Sequence, residues 1–451
     1  MASTYLTRTL GTSTNVYKGT VSHWIKRSGL GSMGTFAAWN NGVSDTNRAY
    51  LNLYNDTIYF YDEANSVVIQ TNRLFRDTSA WYHIVVAWDT SQGTVADRIK
   101  IYVNGVQETS FATANYPSVN STLQFNTSGR TFGLGSYANS GAAAGFFDGS
   151  MANVEFVDGQ QLTPAYFGST DSTTGIWTPQ ASSTISSYGT NGFKLKMDTA
   201  TPGADTSGNT NTFTVGGGTP TLTQGSPSNV YAVFNSLSKN DAGTIVFSNG
   251  NLTVLHSGTD SRYASYSTIG ASSGKWYMEI KIDASSQPDV VVGVGSNVEE
   301  INRLGTYYGT STDPTSVGYF SGDGDKYING NATAYGSAYG TGDIISIAMD
   351  LDNSKLYFRK NNDAWNNSGD PTSGSTGTGA IALTADLTYF MGGSHATTTT
   401  RTSAYSGNFG EGFFGTTAAG TQADDNGQGL FAYDVPAGYY ALNTKNLEAY
   451  G

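Results

Sequence analysis

The residues best suited to chemistry form one short acidic run in the second half of the chain. Asp323, Asp325 and Asn329 place oxygen atoms at spaced positions around Gly324, and oxygens arranged in this way can bind Ca²⁺. The run lacks the bidentate Glu that completes an EF-hand loop. We therefore predict a hairpin loop here without a metal ion, and we expect no cofactor in the chain.

A set of aromatic residues falls in loop-like stretches close to these carboxylates and to several amides. Sugars are held by stacking on rings and by planar hydrogen-bonding groups, so loops of this kind can bind glycans. The alternative is that the rings pack at loop bases or at subunit contacts, because Tyr is abundant throughout the sequence. The predicted ligand-binding residues are Tyr307, Tyr308, Asp323, Asp325, Tyr335 and Trp365, and Tyr339 lies in the same stretches.

Polysaccharide hydrolysis is the enzymatic chemistry for which the sequence offers carboxylates. A retaining glycosidase needs two carboxyl groups about 5 to 5.5 Å apart. Glu279 and Asp283 share a strand face, but at ~3.3 Å per residue they lie about 13 Å apart. Glu299 and Glu300 are adjacent and point to opposite faces of an extended chain. We predict no catalytic residue and expect that the protein is not an enzyme; polysaccharide cleavage is the less favoured alternative.

Two glycine motifs and the histidines add no further site. Residues 270–274 (GASSG) fit G-x-S-x-G, but a strand pattern follows where a nucleophile elbow needs a helix. Residues 29–34 (GLGSMG) fit G-x-G-x-x-G without the helix that would hold a pyrophosphate. The histidines show no metal-ligand spacing and are expected to be hydrogen-bonded locally; they are His23, His83, His256 and His395.

Composition indicates which elements must position these residues. Charged residues make up 13% of the 451, whereas glycines number 56 and aromatics reach 13%; this favours tight turns and pleated surfaces. No window shows a helical apolar stripe, and no apolar run approaches the roughly 20 residues that span a bilayer. The chain is too long for one ordinary core. The sequence predicts an all-β protein of two or three domains without membrane insertion.

Charge and cysteine content exclude several classes of function. The net charge of −12 disfavours nucleic acid and anionic lipid as partners, because both require a positive surface. The absence of cysteine excludes disulfides, thiolate nucleophiles and cysteine-ligated zinc. The first residues carry neither a basic region nor an apolar segment, so we expect no secretory signal.

The clearest element is a hairpin at residues 342–365 (GDIISIAMDLDNSKLYFRKNNDAW). Ile345, Ile347 and Met349 alternate with other residues as in a strand with one buried face. Residues 352–354 supply turn chemistry, because their short side chains can bond to nearby backbone. A second strand with the same alternation follows. Together these segments predict two paired antiparallel strands.

This hairpin resembles the central signature of SPRY (B30.2-type) domains. The flanking pieces stand in the order that the family shows, at residues 274–280 (GKWYMEI) and 408–413 (NFGEGF). The family's closing motif usually has Pro before its last Phe, and here that position is Gly412. The resemblance implies a concanavalin A-like sandwich over residues 241–416.

A first unit, residues 1–180, shows the same pattern of short alternating strands separated by turns. Residues 81–88 (WYHIVVAW) and 99–103 (IKIYV) alternate as strands, and Asn104-Gly105 after them is a strong tight-turn signal. With residues 24–27 (WIKR) these pieces resemble the concanavalin A-like, laminin G-like domain. The predicted fold class is therefore all-β, with two concanavalin A-like antiparallel β-sandwich (jelly-roll) domains in series.

Two further segments complete the predicted organisation. Residues 181–240 are rich in Ser, Thr and Gly, and we expect a partly ordered connector laid against a domain. Residues 417–451 are expected to be a C-terminal tail that docks through its Tyr and Leu side chains.

The order of two sandwiches, connector and tail resembles that of bacteriophage virion structural proteins. The resemblance implies a tail fibre or other appendage at the virion surface, made in the host cytoplasm and extracellular after lysis. Such a protein would bind host-surface glycans or proteins through its sandwich loops. The implied partners are other virion proteins and further copies of the chain, often in a trimer. The alternative is a capsid decoration or cement protein without a dedicated ligand.

Overall fold

The computed structural model describes residues 4–40, 47–180, 184–237, 244–258, 262–285, 289–298, 306–310, 313–396 and 401–451. Its contacts divide the chain into two compact units, Met1–Leu222 and Thr223–Gly451. Strands hold 45% of the residues and helices 6%, which confirms the all-β prediction. Within the described ranges, no helix is both long and apolar enough to cross a membrane.

The first unit is built from short strands whose side chains alternate between an inner and an outer face. Its described strands are β1 (Tyr5–Thr9), β2 (Lys18–Arg27), β3 (Met33–Trp39), β4 (Ala49–Tyr54), β5 (Thr57–Asp62), β6 (Val67–Thr71), β7 (Trp81–Asp89), β8 (Ile99–Val103), β9 (Val106–Gln107), β10 (Phe111–Asn115), β11 (Thr131–Leu134), β12 (Tyr137–Asn139), β13 (Ala142–Ala144), β14 (Gly149–Asp158), β15 (Gly168–Thr170), β16 (Trp177–Pro179), β17 (Phe193–Leu195) and β18 (Thr214–Gly217). Short 3₁₀ helices occur at Val95–Asp97, Gln124–Asn126 and Pro164–Tyr166.

Two antiparallel sheets form the sandwich of this unit. The larger has eight strands in the order β10-β6-β5-β4-β3-β11-β1-β18, and the smaller has six in the order β17-β14-β2-β7-β8-β9. Apolar side chains of both sheets, among them Leu51, Phe60 and Trp88, are buried in one core. The predicted strand at residues 81–88 is confirmed as β7, which is buried along its whole length.

The second unit has the same architecture with different connections. Its described elements are β19 (Thr244–Ser248), β20 (Thr253–Gly258), β21 (Tyr263–Tyr266), β22 (Lys275–Ser285), β23 (Val290–Gly295), β24 (Val317–Phe320), β25 (Asp325–Ile328), β26 (Asn331–Ala334), β27 (Ile344–Asp350), β28 (Lys355–Lys360), β29 (Ile381–Ala382), β30 (Phe390–His395), β31 (Arg401–Asn408), β32 (Phe413–Phe414), β33 (Thr417–Ala418), β34 (Tyr440–Ala441) and the helix α1 (Thr444–Tyr450). Short 3₁₀ helices occur at Asn366–Ser368 and Pro371–Thr376.

The sandwich of the second unit again pairs a larger sheet with a six-stranded one. The larger sheet has the order β19-β20-β31-β22-β27-β28-β29, with β34 pairing in parallel with β22. The six-stranded sheet has the order β21-β30-β23-β24-β25-β26. Trp276, Ile347 and Phe358 lie in the core of this unit with the side chains of the facing strands.

The predicted hairpin is confirmed as β27 and β28, in which Ile347 lies opposite Phe358. The expectation that only one face is buried is wrong. Ser346 and Asp350, on the other parity, are also buried. The cause is a second apolar cluster on the outer side of this sheet, in which Phe431 and Tyr439 cover the strands.

The residues predicted as a connector and as a tail belong to the two units. In the first unit, β17 pairs with β14 and β18 pairs with β1. Val233 and Phe234 are buried in the core of the second unit, as is Leu442 from the predicted tail. Residues 181–183 and 238–240 lie outside the described ranges. Both stretches therefore contribute strands or core residues to the sandwiches.

Candidate functional site

The acidic run of the sequence forms the turn between β24 and β25. Gly324 has φ +79°, and a Cβ there would lie 2.5 Å from the carbonyl oxygen of Gly336, so the turn requires glycine. Asp323 Oδ1 accepts a hydrogen bond of 2.9 Å from the amide of Asp325, as in an Asx turn. Asp325 and Tyr327 then project to the same face of β25, because side chains alternate along a strand.

We call the group Tyr307, Asp323, Asp325 and Tyr327 the β25 rim. The Tyr327 hydroxyl donates a hydrogen bond of 3.1 Å to Asp323 Oδ2. Partial burial, followed by the bond to Asp323, raises the pKa of Tyr327 to about 12, so the phenol stays protonated near neutral pH. Tyr307 lies close enough to contribute to this shift. Asp325 is partly exposed and pairs with no cation among the described residues.

Two of the predicted ligand-binding tyrosines are buried, which corrects their assignment. Tyr308 is 0% exposed, and its hydroxyl donates to the Ser265 carbonyl over 3.1 Å. Tyr335 is 6% exposed, and its hydroxyl accepts a bond of 3.3 Å from the Phe358 amide. Tyr339 is buried in the same core. A ring without an exposed face cannot stack on a sugar, so these tyrosines have the packing role that the sequence left open.

Trp365 contacts a different set of residues. The Arg359 guanidinium lies 4.8 Å from the centre of its ring and 5.7 Å from that of Tyr433. Arg359 also donates a hydrogen bond of 2.7 Å to the Asp434 carbonyl. The structure therefore brings Tyr307, Asp323 and Asp325 together with Tyr327, whereas Trp365 stacks on the arginine that holds the segment covering the larger sheet.

The carboxylates considered for hydrolysis do not form an exposed pair. Glu279 is buried and accepts hydrogen bonds of 2.9 Å from the amides of Ala432 and Tyr433. Burial raises the pKa of Glu279. Asp283 is partly exposed on the same strand. Residues 299–300 lie outside the described ranges. A buried carboxyl cannot meet a polysaccharide, so Glu279 has a structural role.

A Ser, His and Asp arrangement in the second unit escaped sequence analysis, because its members are brought together by strand pairing. Ser403 Oγ lies 2.6 Å from His395 Nδ1, and His395 Nε2 lies 3.6 Å from Asp289 Oδ2. Such a set activates a serine only where the hydroxyl faces a substrate. Here the serine and histidine are fully buried, and burial lowers the pKa of His395. We interpret the arrangement as a structural polar cluster.

Metal ligation was the other chemistry considered for the acidic run. In the part of the chain that the structure describes, no group of three His, Asp or Glu side chains lies close enough to hold a metal ion. The oxygens of Asp323 are instead bonded to the Asp325 amide and the Tyr327 hydroxyl.

Comparison with known families agrees with the two sandwiches. Residues 2–165 match the concanavalin A-like lectin/glucanases superfamily, and residues 275–369 match the SPRY domain. The chain carries a concanavalin A-like domain followed by a SPRY domain. The hairpin of β27 and β28 and the whole of the β25 rim fall within the SPRY match.

Among curated proteins, part of this chain is similar to Ran-binding proteins. A Ran-binding proteins 9/10 homolog of Drosophila melanogaster is 27% identical over 127 residues, which cover 26% of this chain and 13% of that protein. Ran-binding protein 9 of Homo sapiens is 32% identical over 96 residues, which cover 21% of this chain and 12% of that protein. The similarity thus spans only a small part of the length of these relatives.

Solved structures that match part of this chain include a SPRY domain and a pentraxin. The SPRY domain of human HERC1 is 18% identical, with coverage of 39% of this chain and 96% of that chain and a TM-score of 0.29. A heptameric SAP-like pentraxin from Limulus polyphemus is also 18% identical, with coverage of 36% and 71% and a TM-score of 0.27.

Proposed function

We propose that this chain is a non-catalytic recognition protein of a bacteriophage virion, located in a tail fibre or a similar surface appendage. In this role the β25 rim of the SPRY domain binds glycans or proteins of the host surface. The observation that carries the proposal is the accessible combination of Asp323, Asp325 and Tyr327. The carboxylates accept hydrogen bonds from ligand hydroxyls or amides, the phenol oxygen can accept one while its proton bonds to Asp323, and its ring offers a stacking face.

The virion setting is supported by the resemblance of the two-sandwich order to bacteriophage structural proteins. Relatives of the SPRY segment are named Ran-binding proteins, which supports recognition of another molecule as the role of this domain. Assembly with other virion proteins, and with further copies of the chain as a trimer, is part of the proposal. Several copies of a weak site would bind a repetitive surface by avidity.

The non-catalytic part of the proposal is supported by the burial of the groups that could cleave a polymer. Glu279 and Ser403 are both closed to solvent. A retaining glycosidase requires two carboxyl groups that act as acid and nucleophile, whereas Asp323 in the rim accepts hydrogen bonds from the Asp325 amide and the Tyr327 hydroxyl. Binding without turnover is the expected outcome.

A retention experiment tests this function. The purified full chain is passed over a panel of immobilised bacterial surface polysaccharides and envelope proteins, and the eluate is analysed by mass for shortened products. We expect retention without cleavage, and unchanged retention in the presence of a chelator. The variant Asp325→Asn/Tyr327→Phe should bind about tenfold more weakly, because it loses a charged acceptor and the phenol oxygen that also holds Asp323 in place. Asp386→Asn, at an exposed acid outside the rim, is the matched control and should bind as the wild type does.

Each contrary outcome has a definite meaning. Equal retention of the wild type and the rim variant would remove the rim from the site. Shortened products would overturn the non-catalytic assignment. Retention by no member of the panel would contradict the adhesin function, and binding to assembled capsids would then support the decoration alternative.

A further inference from the structure

The outer face of the eight-stranded sheet in the first unit carries a continuous group of tyrosines. Tyr50 and Tyr54 come from β4, Tyr59 and Tyr61 from β5, and Tyr137 from β12. The centroids of neighbouring rings in this group lie 4.8 to 6.1 Å apart. Tyr54 is 45% exposed, and the other rings are partly exposed. We call this surface the tyrosine face.

The tyrosine face follows from the alternation and register of two strands. Tyr50 lies opposite Tyr61, and Asn52 lies opposite Tyr59. Leu51 and Phe60 occupy the intervening positions and are buried in the core. Because successive side chains project to opposite faces, the apolar residues anchor the strands and leave the phenol rings on the outside.

Two features bound the tyrosine face. The hairpin of β12 and β13 lies over β3, and the approach is so close that a Cβ on Gly34 would stand 1.9 Å from the Tyr137 amide. At one end, Arg48 and Glu63 form an ion pair of 3.2 Å, with the Arg48 guanidinium 5.9 Å from the centre of the Tyr50 ring. The face is therefore a shallow surface with a wall on one side and a charged pair at one end.

An unsatisfied polar atom lies in the floor of the tyrosine face. Asn52 stands between Tyr50 and Tyr54 on β4 and is 6% exposed. Its side-chain oxygen Oδ1 has no hydrogen-bond partner among the described residues. Buried acceptors in folded proteins are normally bonded, and one left without a donor costs about 1–3 kcal/mol. An acceptor of this kind at the centre of exposed rings, left without a donor by the described residues, favours a donor supplied by a ligand.

The electrostatics of the tyrosine face favour an uncharged ligand. Its cation, Arg48, is paired with Glu63, so the described residues of the face offer no free positive charge to a phosphate or a carboxylate. Burial raises the pKa of Tyr50, Tyr59 and Tyr61, and the phenols therefore stay neutral donors and acceptors at physiological pH. The net charge of −12 further repels polyanions such as nucleic acids.

We propose that the tyrosine face is a second binding site, separate from the β25 rim, and that its ligand is a neutral glycan chain. Several neighbouring rings offer stacking surface to the apolar faces of successive sugar units. The phenols supply outward hydrogen-bonding groups, and Asn52 supplies an acceptor for a sugar hydroxyl. A neutral sugar needs no countercharge. Nucleic-acid bases would also stack on the rings, but they bring phosphates for which the described residues of the face offer no unpaired cation.

Affinity electrophoresis of the full chain tests the proposal. The protein migrates through gels that contain a neutral dextran, mannan or β-glucan, and through a gel that contains anionic alginate. We expect at least one neutral polymer to retard the wild type and alginate not to do so. Tyr54→Ala/Tyr59→Ala should reduce the affinity about tenfold or more. Tyr166→Ala, at an exposed tyrosine of the same unit outside the face, should leave it unchanged.

Two further variants separate a loss of glycan binding at the tyrosine face from a loss of folding and from binding at the β25 rim. Tyr59→Phe preserves the ring and the strand, so it should retain most of the affinity if stacking dominates. Asp325→Asn/Tyr327→Phe changes only the rim and should be retarded as the wild type is, so failure of one site is read separately from failure of the other.

Three results would overturn the proposal. The first is that no neutral polymer retards the wild type. The second is equal retardation of the wild type and the folded Tyr54→Ala/Tyr59→Ala variant. The third is another occupant of the face: a single-stranded oligonucleotide that binds and is lost in this variant, or a self-associated chain that this variant dissociates in sedimentation.

Discussion

Both units carry tyrosines on the outer face of their larger sheet, but in the part of the chain that the structure describes only one of these faces is covered by another segment. In the second unit, Tyr277 and Tyr357 lie under Phe431 and Tyr439, and all four are buried. In the first unit, none of the described residues covers the tyrosine face in this way, and Tyr54 is 45% exposed.

The polar groups of the two faces differ in the same way. Under the covering segment of the second unit, Glu279 accepts hydrogen bonds from Tyr277, Asn408 and the amides of Ala432 and Tyr433. On the tyrosine face, Asn52 Oδ1 accepts none among the described residues. The polar groups of the covered face are thus bonded by their own chain, whereas the described residues leave the Asn52 acceptor of the open face for the ligand that we propose.

The largest expected effect is the loss of the cover. Phe431 is buried with its ring 4.9 Å from that of Tyr277 in an edge-on arrangement. Phe431→Ala should lower the free energy of unfolding of the second unit by about 3–5 kcal/mol, through lost burial and a cavity. The matched change on the open face, Tyr54→Ala, should cost the first unit no more than about 1 kcal/mol. Urea unfolding followed unit by unit measures both, and similar losses would contradict the distinction.

A smaller effect is expected from neutralising the buried carboxyl. In Glu279→Gln the new NH₂ group must face an N–H of Ala432 or Tyr433, which should cost about 1–3 kcal/mol. Because burial raises the pKa of Glu279, the folded state keeps its proton at a pH where the unfolded state has lost it. The unfolding free energy of the wild type should therefore fall as pH rises from about 4.3 through that raised pKa.

The variant lacks this titrating group. The difference in unfolding free energy between the wild type and Glu279→Gln should therefore be largest at low pH and become smaller as pH rises. Unfolding curves between pH 3 and pH 8 check the prediction. Glu63→Gln on the open face is the control, because its ion pair with Arg48 is partly exposed and worth at most about 1 kcal/mol. If this difference for Glu279→Gln instead grew with pH, the pKa of Glu279 would be lowered in the folded state and not raised.

The smallest expected effect concerns two asparagines. Asn408 in the second unit donates to the Leu430 carbonyl over 2.8 Å and accepts from the amides of Gly410 and Gly412. Asn52 has an unsatisfied oxygen instead. Asn52→Leu should leave stability unchanged or raise it by up to about 1 kcal/mol, since no bonded partner is orphaned. Asn408→Leu should clearly destabilise; a loss of similar size at Asn52 would show that Asn52 has a partner.

The strands could be predicted from the sequence because apolar residues that alternate along a strand are buried on the same face. The pattern of residues 342–365 predicted β27, β28 and their inward side chains, and the pattern of residues 81–88 predicted β7. The prediction that only one face of this hairpin is buried was wrong, because the residues that cover its outer face come from a distant segment. Gly412 illustrates a different limit. Its φ of +90° cannot be adopted by the Pro that is usual at that position of the motif, and a backbone angle of this kind is known only from the structure.

The candidate sites were harder to predict from the sequence. Periodicity shows to which face of a strand a residue belongs, but it does not show whether another segment covers that face. Tyr50, Tyr59 and Tyr61 alternate with apolar residues much as Tyr357 does, yet only Tyr357 is buried by another segment. The same limit explains why Tyr308 was predicted to bind a ligand and is found in a core. Tyr327 shares its parity with Asp325, and this signal was available in the sequence.

The cover of β22 also has a consequence for synthesis. Tyr433 follows Glu279, its bonding partner on that strand, by 154 residues. At about 5–20 residues per second, a ribosome takes about 8 to 30 s to supply the missing segment after the strand has been made. During that interval the outer side of the sheet is open to the same segment of a neighbouring nascent chain, which is the route to domain swapping. The yield of correctly folded protein should therefore rise when translation is fast and ribosomes on one message are sparse.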